Sequence, residues 1–148
     1  MSYDRSKRRF WRCWILTQTD EITLQTGARS HMIAITDRVQ ELVAQAGVES
    51  GVVTLFVPHT TAALTINENA DPDVARDMTG FMDRLVPDDP RFRHAEGNSD
   101  SHIKTSLFGP SLQVIVRGGK LWLGTWQGIY FCEFDGPRTR KLFVAITA

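Results

Sequence analysis

Three of the four histidines lie in polar stretches of the sequence, where an imidazole could take part in chemistry. His59 follows an apolar run that ends at Val57, and His94 and His102 flank the turn-rich segment 95–101. Imidazole suits zinc and similar divalent ions, and a site with three protein ligands keeps a fourth position open for catalysis. The spacing matches no known metal motif, so the alternative is that each histidine only forms hydrogen bonds within its loop.

These histidines lead to two linked expectations. We expect His59, His94 and His102 to converge on a divalent metal ion, with zinc favoured and magnesium as the alternative, and with Asp100 or Glu68 close to the ion. If they converge on a cavity that holds water or an anion instead, His59 and His102 stay candidates for general acid–base catalysis. Asp100 is the third residue that we expect in a catalytic role.

A second group of polar residues could bind a substrate. In the segment 124–128, Thr125 and Gln127 offer hydrogen bonds, while Lys104 could neutralise an anion such as phosphate. The competing interpretations are a structural bulge with Trp126 in the core and an exposed surface lysine. We expect the substrate to be a small anionic molecule. The residues expected to contact it are Asn67, Glu68, Asn98, Lys104, Thr125 and Gln127.

The elements that position these residues follow from apolar periodicity and from capping residues. A helix is predicted from Thr36 to a stop at Gly47, and a second from Pro72, capped by Asp71, to Leu85. We expect both helices to pack their apolar faces on a sheet, which indicates an α+β fold with mixed or antiparallel sheets. Strands are predicted at 11–17, 21–26, 32–35, 51–57, 62–67, 112–117, 120–123, 128–134 and 141–147, with a turn at 18–20 and a short helix at 101–107.

Length and charge limit the classes of function. The chain has 148 residues, which suggests one domain, and 17 basic residues balance 17 acidic ones. A zero net charge argues against a general binder of nucleic acid or of membrane surfaces. Because the sequence shows neither a signal peptide nor an apolar stretch of about 20 residues, we expect a cytoplasmic protein. Cys13 and Cys132 lie in apolar runs and are expected to be buried free thiols.

Several motifs resemble the YjbQ family, with the similarity extending from about residue 17 to 145. The motifs are Pro58–Asn69, Asp71–Asp73, Asn98–Lys104, Leu107–Gly109 and Leu123–Gly128. The resemblance implies an α+β fold and a homotrimer. The activity often assigned to the family is that of a secondary thiamine-phosphate synthase, a transferase that couples a hydroxymethylpyrimidine diphosphate to a thiazole phosphate. Its histidine and acidic motif positions fall here on His59, Asn67, Glu68, Asp71, His94, Asp100 and His102, with Lys104 and Gln127 nearby.

The resemblance also divides the chain. Residues 13–148 are expected to form a single YjbQ-like domain, and the basic residues 1–12, which lie outside the family pattern, a flexible extension. A trimer would allow the site to lie between subunits. Two other functions stay open: a metal-dependent hydrolase of a small phosphorylated or acyl substrate that uses a bound water, and a trimeric ligand-binding module without turnover.

Overall fold

Residues 17–148 form the predicted α+β fold, and of the two expected arrangements, mixed or antiparallel, all strand pairings among them are antiparallel. The computed structural model describes residues 17–148. In chain order the elements are β1 (Thr17–Gln25), β2 (His31–Ala34), α1 (Thr36–Ala46), β3 (Ser50–Phe56), β4 (Ala62–Glu68), α2 (Pro72–Leu85), α3 (Ser99–Phe108), β5 (Ser111–Arg117), β6 (Lys120–Leu121), β7 (Gln127–Glu133) and β8 (Thr139–Thr147).

The strands form two sheets. One has five strands in the order β1-β8-β3-β5-β6, and the other has three in the order β2-β7-β4. The consecutive strands β3 and β4 therefore belong to different sheets, and residues 57–61 carry the chain from one to the other. Pro58 and His59 lie on this crossing segment, so the fold places His59 where the two sheets meet.

One apolar core joins the two sheets and α1. Val39 and Val43 of α1 are completely buried, because their spacing of four puts them on one side of the helix. Gly47 ends the helix with a φ of 64°, a left-handed conformation that glycine adopts without strain. The buried apolar residues of both sheets surround this stripe: Ile22, Leu24, Val53, Leu55, Leu64, Val114, Val116, Ile129, Phe131, Leu142, Val144 and Ile146.

A smaller apolar cluster covers the opposite face of the three-stranded sheet. It contains Cys132 and Phe134, and the ring of Phe108 in α3 packs edge-on against Phe134 with 5.3 Å between ring centroids. Cys132 is a buried free thiol, as expected, and its burial raises the pKa of the thiol. Cys13 lies outside the described residues. None of the helices between residues 17 and 148 has the length and apolarity needed to cross a bilayer.

The prediction for the first strands is wrong in one respect. The turn expected at 18–20 does not exist, because β1 runs without a break from Thr17 to Gln25 and pairs with β8 along its whole length. Its polar residues alternate with the buried Ile22 and Leu24, which is the pattern of a strand with one face exposed. The rest of the expected first strand and the flexible extension 1–12 lie outside the described residues.

The helix α2 has the predicted bounds, but part of its apolar face is exposed. The Asp71 carboxylate accepts a hydrogen bond from the Asp73 backbone N–H at 2.9 Å, so the predicted cap is confirmed. The helix has no buried residue, and Phe81 and Leu85 on its apolar face are each 56% exposed. Its small residues, including Ala75, line a cleft against β2 instead. The prediction that α2 packs on a sheet is confirmed by its contact with β2, but its apolar stripe is covered only in part, since Phe81 and Leu85 stay exposed.

Candidate functional site

Two small clefts meet at His59, Thr60 and His102. The first, which we call the arginine cleft, has a volume of about 260 Å³. The second, which we call the threonine cleft, has a volume of about 330 Å³. The arginine cleft is also lined by Pro58, Thr61, Glu96, Asn98, Asp135, Arg138 and Arg140, and the threonine cleft by Thr105, Ser106 and Pro110.

The position of His59 is fixed by the point at which β3 leaves its sheet. After Phe56 the chain turns away, and the Val57 N–H bonds to the carbonyl of Pro110. Strand β8 continues, and the backbone N–H of its Lys141 donates to Nε2 of His59 at 2.9 Å. The imidazole thus takes the place of a strand carbonyl. Burial, followed by the positive charge of Arg140, lowers the pKa of His59.

A buried ion pair supports the arginine cleft from behind. Arg140 donates two hydrogen bonds to the completely buried Glu133, at 2.7 and 2.6 Å, and a third to Thr61 Oγ1 at 2.8 Å. Burial tends to raise the pKa of Glu133, but the hydrogen bonds from Arg140 and from the Asp135 backbone outweigh it and lower the pKa. The pair holds Thr61 beside His59 across the junction of the two sheets. A glutamate on a strand of apolar residues predicts a cationic partner, for which the sequence offers Arg138 or Arg140. The structure shows that the partner is Arg140.

Asp135 organises the other wall of the arginine cleft. Its carboxylate accepts from Arg138 at 2.7 Å and from the Asn98 side-chain amide at 2.9 Å. The Arg138 side chain is 53% exposed, so this guanidinium keeps donors free for a ligand. The side-chain carbonyl oxygen of Asn98 is buried and has no hydrogen-bond partner among residues 17–148. Of this wall the sequence predicts Asn98 only, because Asp135 and Arg138 form an ordinary turn signal.

The roles expected for Lys104 and Asp100 are wrong for a single chain. Lys104 is buried, and its ammonium lies 2.8 Å from Asp83 and 3.1 Å from Asp100. Asp100 also accepts from Arg29 at 2.8 Å. Burial opposes ionisation of Asp100, but the hydrogen bond and charge of Lys104 dominate and lower its pKa. These residues form an internal ion-pair network, which leaves neither an acid for catalysis nor a lysine for substrate.

Four expected substrate contacts lie at the far end of β4 and β7. Glu68 pairs with Gln127, whereas the histidine end of the same ladder is Ala62 opposite Glu133. Six residues of strand separate the two ends, roughly 20 Å. Asn67, Glu68, Thr125 and Gln127 therefore do not meet the histidines within one chain.

The glycine-flanked segment 124–128 forms a local turn. The Gln127 side-chain oxygen accepts from the Gly124 N–H at 2.8 Å, which commits this amide to the turn. Trp126 is 65% exposed, so it is not the core residue of the alternative interpretation. Thr125 is exposed as well.

Two of the three histidines come together. The rings of His94 and His102 lie edge to face with 5.3 Å between their centroids, and Glu96 Oε2 lies 3.9 Å from His94 Nε2. Within residues 17–148, no three His, Cys, Asp or Glu side chains are placed to hold a metal ion. Because Nε2 of His59 accepts an N–H, the neutral ring carries its proton on Nδ1 and has no lone pair left for a metal. The three-histidine centre is therefore not formed within one chain, and His59 does not fit it as a ligand.

A larger cleft lies elsewhere, between α2 and β2, with a volume of about 600 Å³. Its polar groups are mostly committed: Asp83 accepts from Ser30 and Lys104, and the Tyr130 hydroxyl lies 2.9 Å from the Glu68 carbonyl. His59 and His102 line both smaller clefts, and the guanidiniums of two arginines line the arginine cleft. We therefore take these two clefts as the candidate site.

Comparison with known proteins places the chain in a family. A family model described as UPF0047 protein YjbQ-like matches residues 20–148. The UPF0047 protein YugU of Bacillus subtilis is 50% identical over 124 residues, covering 83% of this chain and 94% of the relative. A UPF0047 protein of Methanocaldococcus jannaschii is 48% identical over 123 residues, covering 83% and 89%.

Solved structures agree. A crystal structure from Clostridium acetobutylicum, described as an uncharacterised conserved protein of the YjbQ/UPF0047 family, has a TM-score of 0.84 and 54% identity, covering 86% of this chain and 98% of that one. A YbjQ-like protein of unknown function from Sulfolobus solfataricus has a TM-score of 0.86 and 30% identity, covering 90% and 99%. The chain therefore belongs to the YjbQ family.

Proposed function

We propose that this chain is a small-molecule transferase that couples two substrates, one in each of the two clefts. The observation that carries the proposal is that the arginine and threonine clefts share His59 and His102 as their common wall. Their volumes, about 260 and 330 Å³, lie at or below the lower end of the range for ligand pockets. Each cleft therefore suits one small molecule, and a bond between the two ligands would form beside the imidazoles.

The specific reaction that we propose is the one often assigned to the family, thiamine-phosphate synthesis. The ring nitrogen of a thiazole phosphate would attack the methylene carbon of a hydroxymethylpyrimidine diphosphate. The new C–N bond forms as the C–O bond to the diphosphate breaks, and inorganic pyrophosphate leaves. Both substrates are anionic, and the free donors of Arg138 support binding of one of them in the arginine cleft.

The charges of the arginine cleft bear on its ligand. Arg138 pairs with Asp135 and Arg140 pairs with Glu133, so the two guanidiniums add little net positive charge. A diphosphate is commonly bound together with Mg²⁺. The carboxylates of Glu96 and Asp135, which line the cleft, are the residues that would hold this ion.

The experiment is a coupling assay on the purified protein with both substrates, beside complementation of a thiamine auxotroph. We expect product, and we expect His102→Ala to lose it while His31→Ala, an exposed histidine outside both clefts, keeps it. Absence of both product and complementation would remove the synthase. Tight ligand binding without turnover would favour the non-catalytic module.

We also propose a homotrimer. Phe81 and Leu85 on the apolar face of α2 are exposed, which suits a helix that packs against another subunit. The far-end residues Asn67 and Gln127 lie too distant from the histidines to share a ligand with them in one chain. A neighbouring subunit could bring such residues to the clefts.

The second candidate is a metal-dependent hydrolase, favoured by the contact between His94 and His102. Zinc accepts imidazole and carboxylate ligands, so His94, His102 and Glu96 would hold the ion, completed across a subunit boundary. We expect up to one zinc per chain by elemental analysis, lost in His94→Ala. Failure of the protein to bind added zinc would exclude the hydrolase and would leave the proposed synthase activity unaffected.

A further inference from the structure

We propose that His59 serves the two clefts as a neutral hydrogen-bond donor, through its Nδ1–H, and that it is not the general base of the site. The proposal rests on the proposed function, because it assigns a role within the same pair of clefts. It changes the expected chemistry, since it leaves His102 as the only imidazole in those clefts that can accept a proton from a substrate.

The hydrogen bond from Lys141 settles which nitrogen of His59 carries the proton. A neutral imidazole has one N–H and one lone pair. The backbone N–H of Lys141 can only donate, and it lies 2.9 Å from Nε2, so the lone pair must be on Nε2. The ring proton is therefore on Nδ1. His59 lines both clefts, and Nδ1–H is the group that it can offer to a ligand.

The surroundings keep the ring in this state. Adding a proton to Nε2 would direct its N–H at the N–H of Lys141, so the hydrogen bond would be lost. Arg140 adds positive charge close to the ring, and Glu133, which would favour an imidazolium, is already neutralised by Arg140. The backbone of Lys141 belongs to β8, which is paired on its other side with β1, so the donor cannot move away.

This geometry restricts the ligand. The atom that meets His59 must accept a hydrogen bond, which a phosphoryl oxygen, a carbonyl oxygen or an unprotonated ring nitrogen can do. A fixed donor aimed at an oxygen stabilises negative charge that develops there, which is the role of an oxyanion-hole group. We infer that His59 holds an acceptor atom of the substrate, such as an oxygen of the departing diphosphate.

The test is long-range ¹H–¹⁵N NMR of the histidine rings at pH 7.5, with and without inorganic pyrophosphate as the probe. We expect His59 to show a protonated, pyrrole-type Nδ1 and a lone-pair, pyridine-type Nε2. We expect pyrophosphate to shift the Nδ1–H signal and to leave the tautomer unchanged. A proton on Nε2, or an Nδ1–H that bound pyrophosphate does not perturb, would overturn the proposal.

Matched variants give an independent reading. Glutamine can accept the Lys141 N–H through its oxygen and donate to a ligand through its amide, but it cannot act as a base. His59→Gln should therefore lose less than about tenfold in kcat, whereas His59→Phe should lose on the order of 10²-fold or more, as expected for removal of one oxyanion donor. Equal losses in both variants would contradict a donor role. If the NMR result holds but no coupling occurs in any variant, the synthase is excluded while the donor assignment stands.

Discussion

At the scale of single residues, the site depends on buried charges whose partners lie on different elements of the fold. Glu133 of β7 and Arg140 of β8 pair across the junction of the two sheets, while Lys104 in α3 pairs with Asp83 in α2. Removing one partner of a buried pair leaves the other as an uncompensated charge in a medium that solvates it poorly. Stability and site geometry are therefore linked at these positions.

The Glu133–Arg140 pair gives the first prediction. Arg140→Met should lower the free energy of unfolding by about 3–5 kcal/mol, because it leaves a completely buried carboxylate without its cation. The matched control is Arg138→Met, whose half-exposed pair with Asp135 should contribute less than about 1 kcal/mol. Urea denaturation measures both. Adding Glu133→Gln to Arg140→Met should restore part of the loss, and a single variant no worse than the control would contradict the argument.

His59 gives a prediction about pH. Its pKa in the folded chain is lowered, so below about pH 6.5, the ordinary histidine value, the unfolded chain binds more protons than the folded chain. The free energy of unfolding should therefore fall as the pH drops through this value and the region below it. His59→Gln should reduce that dependence, since glutamine keeps an acceptor for Lys141 and does not titrate. Urea midpoints between pH 7.5 and 5 test this, and parallel curves for both proteins would refute it.

At the scale of elements, the helix bounds follow from the sequence, but the extent to which the apolar face of α2 is covered does not. The cap at Asp71 and the glycine at Gly47 are local signals, and both are confirmed. An apolar stripe indicates only that something covers it, and in the single chain Phe81 and Leu85 of the α2 stripe stay exposed. Local patterns determine where a helix starts and ends. Which surface covers its apolar face depends on tertiary or subunit contacts, which the local pattern does not identify.

The same limit applies to the site. His59 and His102 are suggested by their polar surroundings, and the structure does bring them to a common wall. The sequence cannot show that Lys104 turns inward, because its partner Asp83 is 21 positions away. Nor does the sequence reveal that Arg138 lines the arginine cleft, since it looks like an ordinary turn residue.

The attachment of α2 gives a prediction at this scale. The helix has no buried residue, and the Asp83 carboxylate links it to Ser30 at 2.7 Å and to Lys104 at 2.8 Å. Asp83→Ala should raise the amide exchange rates of α2 at least about tenfold, a loss of about 1.4 kcal/mol in local stability. Lys104 keeps Asp100 as its partner, so the rest of the fold should exchange as before. The control Asp77→Ala changes an exposed carboxylate of the same helix, and equal exchange in both variants would contradict the proposed attachment.

At the scale of the whole molecule, several large apolar side chains within residues 17–148 are exposed, and two surfaces each hold a pair of them. One is the outward face of α2, and the other is the outer face of the five-stranded sheet, where the rings of Phe56 and Phe143 lie 6.4 Å apart. Extended apolar surface of this kind marks association sites in many proteins.

The assembly prediction follows from the α2 face. We expect a homotrimer by light scattering at micromolar concentration, and we expect Phe81→Ser combined with Leu85→Ser to shift it toward monomer. Both side chains are 56% exposed in the single chain, so the variant should keep its circular dichroism spectrum. Ile103→Ser, which changes an exposed apolar side chain on α3, is the matched control. A monomeric parent protein would defeat the prediction, and a trimer that survives the double change would show that another surface holds it together.

Because residues 57–61 cross between the two sheets, a ligand bound at this crossing would hold the sheets together. Lys141 and Arg140 belong to the five-stranded sheet, while His102 lies on a helix that packs against the three-stranded one. A molecule that contacts both walls must be released before the sheets can separate. At a free concentration of a hundred times its Kd, such a molecule raises the free energy of unfolding by about 2.7 kcal/mol, and the melting temperature rises with it. A melting-temperature screen of metabolites would therefore rank substrates before any reaction is known.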